Sequence, residues 1–375
     1  MTMILPLLPF YALHYGASAQ LVGLLFTTYA ACQLIAGPVL GKLSDRYGRR
    51  PLLIVSQLGT FAGFLVLGWA PTLGWIFFSR FLDGITAGNL SLAQAYISDV
   101  TEPEHRAKSF GVIGIAFGLG FLIGPALSGF LTQYGYAYPA WAAAGLSLTS
   151  VLCTYFLLPQ ATPHADKSGP GGERLGLFDW GAYGQYFRRP ALASVLVQFF
   201  LFCVMFSLFI AGFALFAKDR FAFTAKDVGY MYAYSGLIGA IIQGGMLGRL
   251  VKRYGEGPLA RSGFLASAAG LAVLAFTGPM AMLIASFTAI AFGTGVLRPA
   301  LTSLVTRHVG RSEQGVVLGL TQSLNSISSI VSPLVAGFLI GHERLHAWAL
   351  LAAAVSAAGL LLGLKTAHHA PPASA

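Results

Sequence analysis

Residues Gly41–Pro51 read GKLSDRYGRRP. Four basic residues and one acid crowd into eleven positions of a chain in which only 10% of residues are charged. Farther along, Gly248–Pro258 reads GRLVKRYGEGP. Gly, Leu, Arg, Tyr, Gly and Pro fall at the same six offsets, each 207 positions on. Nor is the repeat confined to this phrase. Gly124-Pro125 returns as Ser332-Pro333, Gly129 as Gly337 and Gly111 as Gly319, all shifted by 208. Matches at one nearly constant shift over many segments mark a duplicated half.

Between these charged phrases the chain is apolar. Of its 375 residues 56% are hydrophobic, and the charges fall in short bursts between runs of about twenty residues. A helix rises about 1.5 Å per residue, so such a run matches the roughly 30 Å hydrocarbon core of a bilayer. Twelve runs are counted: 1–16, 19–40, 52–70, 74–98, 109–131, 138–158, 191–217, 227–248, 259–278, 279–306, 315–341 and 345–364. The expected fold is an all-α polytopic membrane protein, with twelve transmembrane helices in two parallel-repeat six-helix halves. The halves are 1–158 and 191–365, joined by a polar linker, 159–190, and followed by a disordered tail, 366–375. The first run, MTMILPLLPFYALHYG, has only 16 residues and two prolines. It reads as a truncated helix, so Met1 is not expected to be the natural start. It also lacks the basic region and small-residue cleavage site of a signal peptide.

Charge placement sets the expected orientation. Of 23 Lys and Arg residues, 17 fall at loops after even-numbered spans or in the tail, and four on the other side. The positive-inside rule therefore puts those loops and both termini in the cytoplasm, in the plasma (inner) membrane of a cell. Trp69, Trp75, Trp141 and Trp348 would form the belt at the opposite interface. The net charge of +10 alternates from loop to loop without forming one stripe, so nucleic acid is not an expected partner. Cys32, Cys153 and Cys203 all lie in apolar runs and read as packing residues. His368 and His369, in the tail, are not read as a metal site.

Two cations remain, Arg80 and Arg298, both inside spans. A charge near the bilayer centre costs roughly 2.5–3.5 kcal/mol on insertion scales, so each should face protein or water. Arg80 has Asp83 three residues on, a spacing that permits an ion pair. At 100° per residue these two share a stripe with Ser91, Gln94 and Ser98 along span four. Arg298 on span ten and Gln322, Asn325, Ser326 and Ser329 on span eleven line either a cavity or a helix seam. Small residues spaced by four in GLGFLIGPALSG (118–129) let helices approach closely. The phenylalanines of span seven point all round their helix and read mostly as packing.

With these motifs the chain resembles the major facilitator superfamily over essentially its full length, most closely the drug–proton antiporters of the tetracycline efflux group. GKLSDRYGRRP resembles the superfamily signature between helices two and three, carried here by Gly41, Asp45, Arg46, Gly48, Arg49 and Arg50. Gly120, Gly124, Pro125 and Gly129 resemble the fifth-helix motif of its antiporters, with Ser128 replacing one glycine. AYISDVTEPEHRAKSFG (95–111) is similar to the group's loop between helices four and five. The resemblance implies a gate in which Asp45, Arg49 and Asp99 form a relay, with Asp45 also facing the start of helix eleven near Gly315. It also ties Arg80 and Gly84, matching Arg-x-x-x-Gly, to proton coupling, with Asp83 the candidate acid. Parallel duplicated halves are a known transporter arrangement.

The expected function is secondary active transport: proton-coupled export of a small amphipathic or drug-like molecule by alternating access. Small-molecule substrate, protons and the lipid bilayer are the expected partners, without cofactor, and the protein is expected to be a monomer. Two alternatives stay open: a transport-dead scaffold or sensor, and an exporter of a metabolite such as a sugar. No HExxH, Gly-x-Ser-x-Gly or phosphate-loop motif marks an enzyme or an ATP-driven pump.

Overall fold

The computed structural model describes residues 2–101, 106–159, 180–310 and 313–368. The expected linker over 160–179 and the tail over 369–375, His369 included, lie outside the described residues. In a bilayer no water satisfies the backbone, so each apolar run closes its own hydrogen bonds as a helix. The first half holds α1 (Ile4–His14), α2 (Ala19–Tyr47), α3 (Arg49–Gly68), α4 (Leu73–Ile85), α5 (Asn89–Val100), α6 (Arg106–Leu131) and α7 (Ala137–Leu157). A short α8 (Trp180–Phe187) stands in the linker. Then follow α9 (Pro190–Phe221), α10 (Ala225–Ile241), α11 (Leu247–Tyr254), α12 (Glu256–Ala275), α13 (Met280–Arg307), α14 (Gln314–Gly341) and α15 (Leu345–His368).

Among the described residues nine helices are long and apolar enough to cross a membrane. The other three expected spans are short or interrupted. α1 has 11 residues. Span four is broken between Ile85 and Asn89, giving α4 and α5. Span eight holds a π-helical turn, Ile242–Met246, between α10 and α11. Its sequence IQGGM carries two glycines, which loosen the helical ladder where an extra residue inserts.

The charged phrase and its repeat are tight corners. α2 runs to Tyr47, so Asp45 and Arg46 lie on its last turn, and Gly48 alone joins it to α3. Gly48 has φ +96° and its counterpart Gly255 φ +78°, a region that favours glycine. These two glycines keep the corner in both copies.

The chain divides into two compact units, Met1–Gly172 with Phe213–Ala233, and Glu173–Gly212 with Tyr234–Ala375. Phe213–Ala233, which the sequence places in the second half, packs with the first. A side chain on Gly129 of α6 would meet the Lys226 carbonyl at 2.9 Å, and one on Gly229 would meet the Pro125 carbonyl at 2.6 Å. Lys226 also donates to the Gln133 side chain at 3.2 Å. A second difference concerns the tryptophans. Trp69, Trp75 and Trp141 are exposed, as belt residues are, but Trp348 is fully buried. Its indole N–H donates to the Leu208 carbonyl at 3.0 Å, in space left by Gly212. Trp348 is a core residue.

Candidate functional site

At the charged corner of the first half, Arg49 is the first residue of α3 and is buried. Its guanidinium meets Asp45 Oδ1 at 2.5 Å and Asp99 Oδ2 at 2.8 Å, and donates to Ser44 Oγ at 2.5 Å. The expected triad of Asp45, Arg49 and Asp99 is thus brought together, tying the ends of α2 and α5 to the start of α3. The neighbouring arginines point elsewhere. Arg46 stacks over Tyr47, and Arg50 over Tyr155, whose carbonyl it also binds. Gly41 offers its carbonyl to Ser44 Oγ at 2.6 Å.

Deep in the same unit, Arg80 and Asp83 are 1% and 2% exposed and pair at 3.1 Å. Arg80 also donates to Ser79 Oγ and lies over the Phe64 ring. The Thr60 hydroxyl lies near the Asp83 carboxylate, and Tyr29 is near enough to feel both charges. One guanidinium nitrogen of Arg80, Nη2, is buried without a hydrogen-bond partner. Arg80 lines a cavity of about 20 Å³ with Tyr29, Phe26 and α1 residues. Gly84 packs against span two, since an added Cβ would lie 2.7 Å from Cys32 Cβ and 2.8 Å from the Tyr29 carbonyl. The glycine of Arg-x-x-x-Gly therefore brings this pair close to α2.

The break in span four lies one turn past the pair. Ser56 of α3 bridges it, donating to the Thr86 carbonyl at 2.5 Å and accepting from the Gly88 N–H at 3.0 Å. A neighbour's hydroxyl thus serves the backbone groups that the broken ladder frees. The break also interrupts the expected polar stripe. Ser91 and Gln94 are exposed on α5, whereas Arg80 and Asp83 are buried on α4, and the Ser98 side chain lies outside the described residues. Extrapolating 100° per residue fails once the helix restarts.

The fifth-span motif is a packing element here. Thr2 donates to the Gly120 carbonyl at 2.7 Å and crowds Gly124, while Pro125 and Gly129 meet Gly229. In the second unit Arg298 and Gln322 are exposed, Asn325 is half-buried and Ser326 is buried. Arg298 lies close enough to Cys203 to act on it electrostatically. Ser326, expected with the cavity set, is drawn into helix packing.

Sequence reasoning missed Ser56, Thr60 and Tyr29. It also missed an ion pair between buried Glu256 and exposed Arg307 at 2.8 Å, supported by Ser303 at 3.1 Å. The repeat offset could have found this pair, because positions 256 and 307 correspond to 49 and 99.

Twelve apolar spans from a duplicated half, with charge clustered at their ends and one ion pair buried within them, define a multi-span membrane transport protein. The chain belongs to the Major Facilitator Superfamily, which it matches over residues 1–333 and again over 244–375. Its relatives include the class C tetracycline resistance protein of Escherichia coli, 32% identical over 326 residues that cover 86% of this chain and 80% of the relative. Multidrug resistance protein 2 of Bacillus subtilis (strain 168) is 28% identical, covering 90% of this chain and 84% of that one. The human organic anion transporter TETRAN superposes with a TM-score of 0.73 at 24% identity, covering 96% and 95% of the two chains. The nucleoside transporter NupG does so at 0.74 with 14% identity, covering 97% and 96%. These two structures share the fold. The protein is a transporter of small molecules and not an enzyme.

Proposed function

We propose that this transporter exports a small amphipathic, drug-like molecule in exchange for protons, with tetracyclines the first compounds to test. The observation that carries the coupling is the buried Arg80–Asp83 pair beside a break in its own span. The names of the tetracycline and multidrug resistance relatives support the substrate class. While Asp83 is charged, it neutralises Arg80 in place. A proton on Asp83 removes half of the pair and leaves the arginine uncompensated in a low-dielectric setting, which is costly. That cost favours a conformation in which water or substrate reaches the site, and proton release restores the pair. The Asp45–Arg49–Asp99 cluster acts as the gate; Ser91 and Gln94 are the polar side chains that the first unit offers to substrate, and Arg298, Gln322 and Asn325 are those that the second unit offers. The positive-inside distribution supports an inner-membrane protein with cytoplasmic termini.

The test is substrate uptake by inverted vesicles driven by an imposed pH gradient. Wild type is expected to accumulate tetracycline only with the gradient, and Asp83→Asn to lose that dependence. Gradient-driven uptake at the wild-type rate by Asp83→Asn would move coupling elsewhere. No movement of tetracyclines, dyes or phenicols by wild type would sink the export reading and favour a scaffold.

A further inference from the structure

The two halves carry the same ion pair with opposite polarity. Arg49 opens α3 directly after Gly48, and Glu256 opens α12 directly after Gly255, 207 residues on. Asp99 stands in the last turn of α5, and Arg307 closes α13, 208 residues on. In each half the residue that starts a helix is buried, Arg49 at 8% exposure and Glu256 at 6%. Its partner is more open, with side-chain exposure of 41% for Asp99 and 65% for Arg307. Both contacts measure 2.8 Å. The sign of the charges is reversed.

That sign matters because a helix start carries partial positive charge and a helix end partial negative charge. Glu256 and Arg307 each occupy the end that stabilises them. Arg49 and Asp99 each occupy the end that opposes them. The clusters also differ in reach. Arg49 binds Asp45 and Ser44 as well, so three helices meet at it. In the second half Lys252 and Val251 stand at those two places, and Glu256 takes Ser303 of α13 instead. Among the described residues the second pair joins α12 to α13 alone.

We infer that Glu256, Ser303 and Arg307 form a fixed clamp that stays closed through the transport cycle, while the Arg49 cluster is the one that opens and closes. The inference rests on the transport reading above. Closing the first cluster works against two helix dipoles, so less is lost when it opens. The clamp has both dipoles on its side, and among the described residues it bonds to no third helix that could draw a partner away. One duplicated element has thus become a moving part in one half and a fixed part in the other.

Two measurements on the full chain test this. In a background where Cys32, Cys153 and Cys203 are serine, Val100→Cys reports beside Asp99 and His308→Cys beside Arg307. Maleimide labelling in vesicles, with and without a proton gradient, is expected to change several-fold at position 100 and to stay level at position 308. An equal change at both, or a change confined to 308, overturns the clamp. The second measurement is the melting midpoint of purified protein, which needs no transport. Glu256→Gln and Arg307→Gln should each lower it by several degrees. Glu256→Arg combined with Arg307→Glu should recover only part of the loss, since the rebuilt pair opposes both dipoles. Full recovery overturns the dipole argument, and unchanged midpoints in the single variants show an idle pair and overturn the clamp. Should a charge variant fail to fold, Ser303→Ala keeps both charges and is expected to lower the midpoint more mildly; no change in it counts against the clamp. If neither reporter responds to the gradient, the transport reading fails and melting alone decides the clamp.

Discussion

Asp83 and Arg80 can be varied separately and together, and the comparison divides stability from coupling. Removing one member of a buried pair leaves the other uncompensated, which typically costs about 3–5 kcal/mol. Asp83→Asn and Arg80→Gln should each lower the unfolding midpoint clearly. The double variant should regain most of that loss yet remain uncoupled in the vesicle assay. A double variant as unstable as either single one would show that the pair is not the source of the cost. Asp45→Asn is expected to behave differently, because Asp45 is partly exposed and Arg49 keeps Asp99. Its effect on stability should stay within about 1 kcal/mol, the range of exposed pairs. Transport should be lost, with faster or slower labelling of cysteines at the charged end, and retained transport would reduce the phrase to a basic loop. The charged members of both sites were legible in the sequence, because a charge inside an apolar run is expensive and stands out. Thr60, Tyr29 and Ser56 were not, since neutral polar residues in spans are common and only the fold brings them to the pair.

Span four shows where reading helices by period stops. Its apolar pattern runs on through Thr86–Gly88, and nothing in that pattern ends one helix and starts another there. The break is a tertiary effect, stabilised by a hydroxyl on the neighbouring span. Ser56→Ala would leave the Gly88 N–H and Thr86 carbonyl with only their mutual bond of 2.8 Å, at a cost of about 1 kcal/mol. Thermal unfolding should register it, and an unchanged midpoint would mean that the break holds without Ser56. The fifth-span motif carries a matching prediction. At Gly229 an added Cβ would lie 2.6 Å from the Pro125 carbonyl and 2.8 Å from Gly129 Cα, both backbone atoms that do not give way easily. Gly229→Val should therefore cost about 1–3 kcal/mol by overpacking. The motif itself was legible. Its partner was not, because nothing in the apolar pattern of span eight marks Gly229 as the residue that meets α6.

The duplication made the whole molecule legible, since shifts of 207 and 208 relate the two halves before any contact is known. The grouping of Phe213–Ala233 with the first unit was not, because small-residue seams such as Gly129 against Gly229 leave no trace in hydropathy. The linker was equally silent, yet its far end is anchored. Arg189, just before α9, holds Glu313 at the start of α14 through two hydrogen bonds of 3.0 and 2.9 Å, across 124 residues of chain. Tyr186 of α8 packs beneath with Leu192, Val195 and Leu196. The Arg189 hydrogen bonds, then its charge, hold the Glu313 carboxyl below the ordinary glutamate value of 4.5. A carboxyl whose folded pKa is depressed adds stability that is fully present above its unfolded value and is lost as pH falls through the folded one. Glu313→Gln should therefore melt about one to two degrees below wild type at neutral pH, a small effect because the pair is solvent-screened. As pH falls below 4.5 the two melting curves should converge. Salt should shrink the difference at neutral pH for the same reason. A gap that persists unchanged in acid would mean that Glu313 acts through packing at the start of α14 and not through its charge, and the linker anchor would then rest on Tyr186 alone.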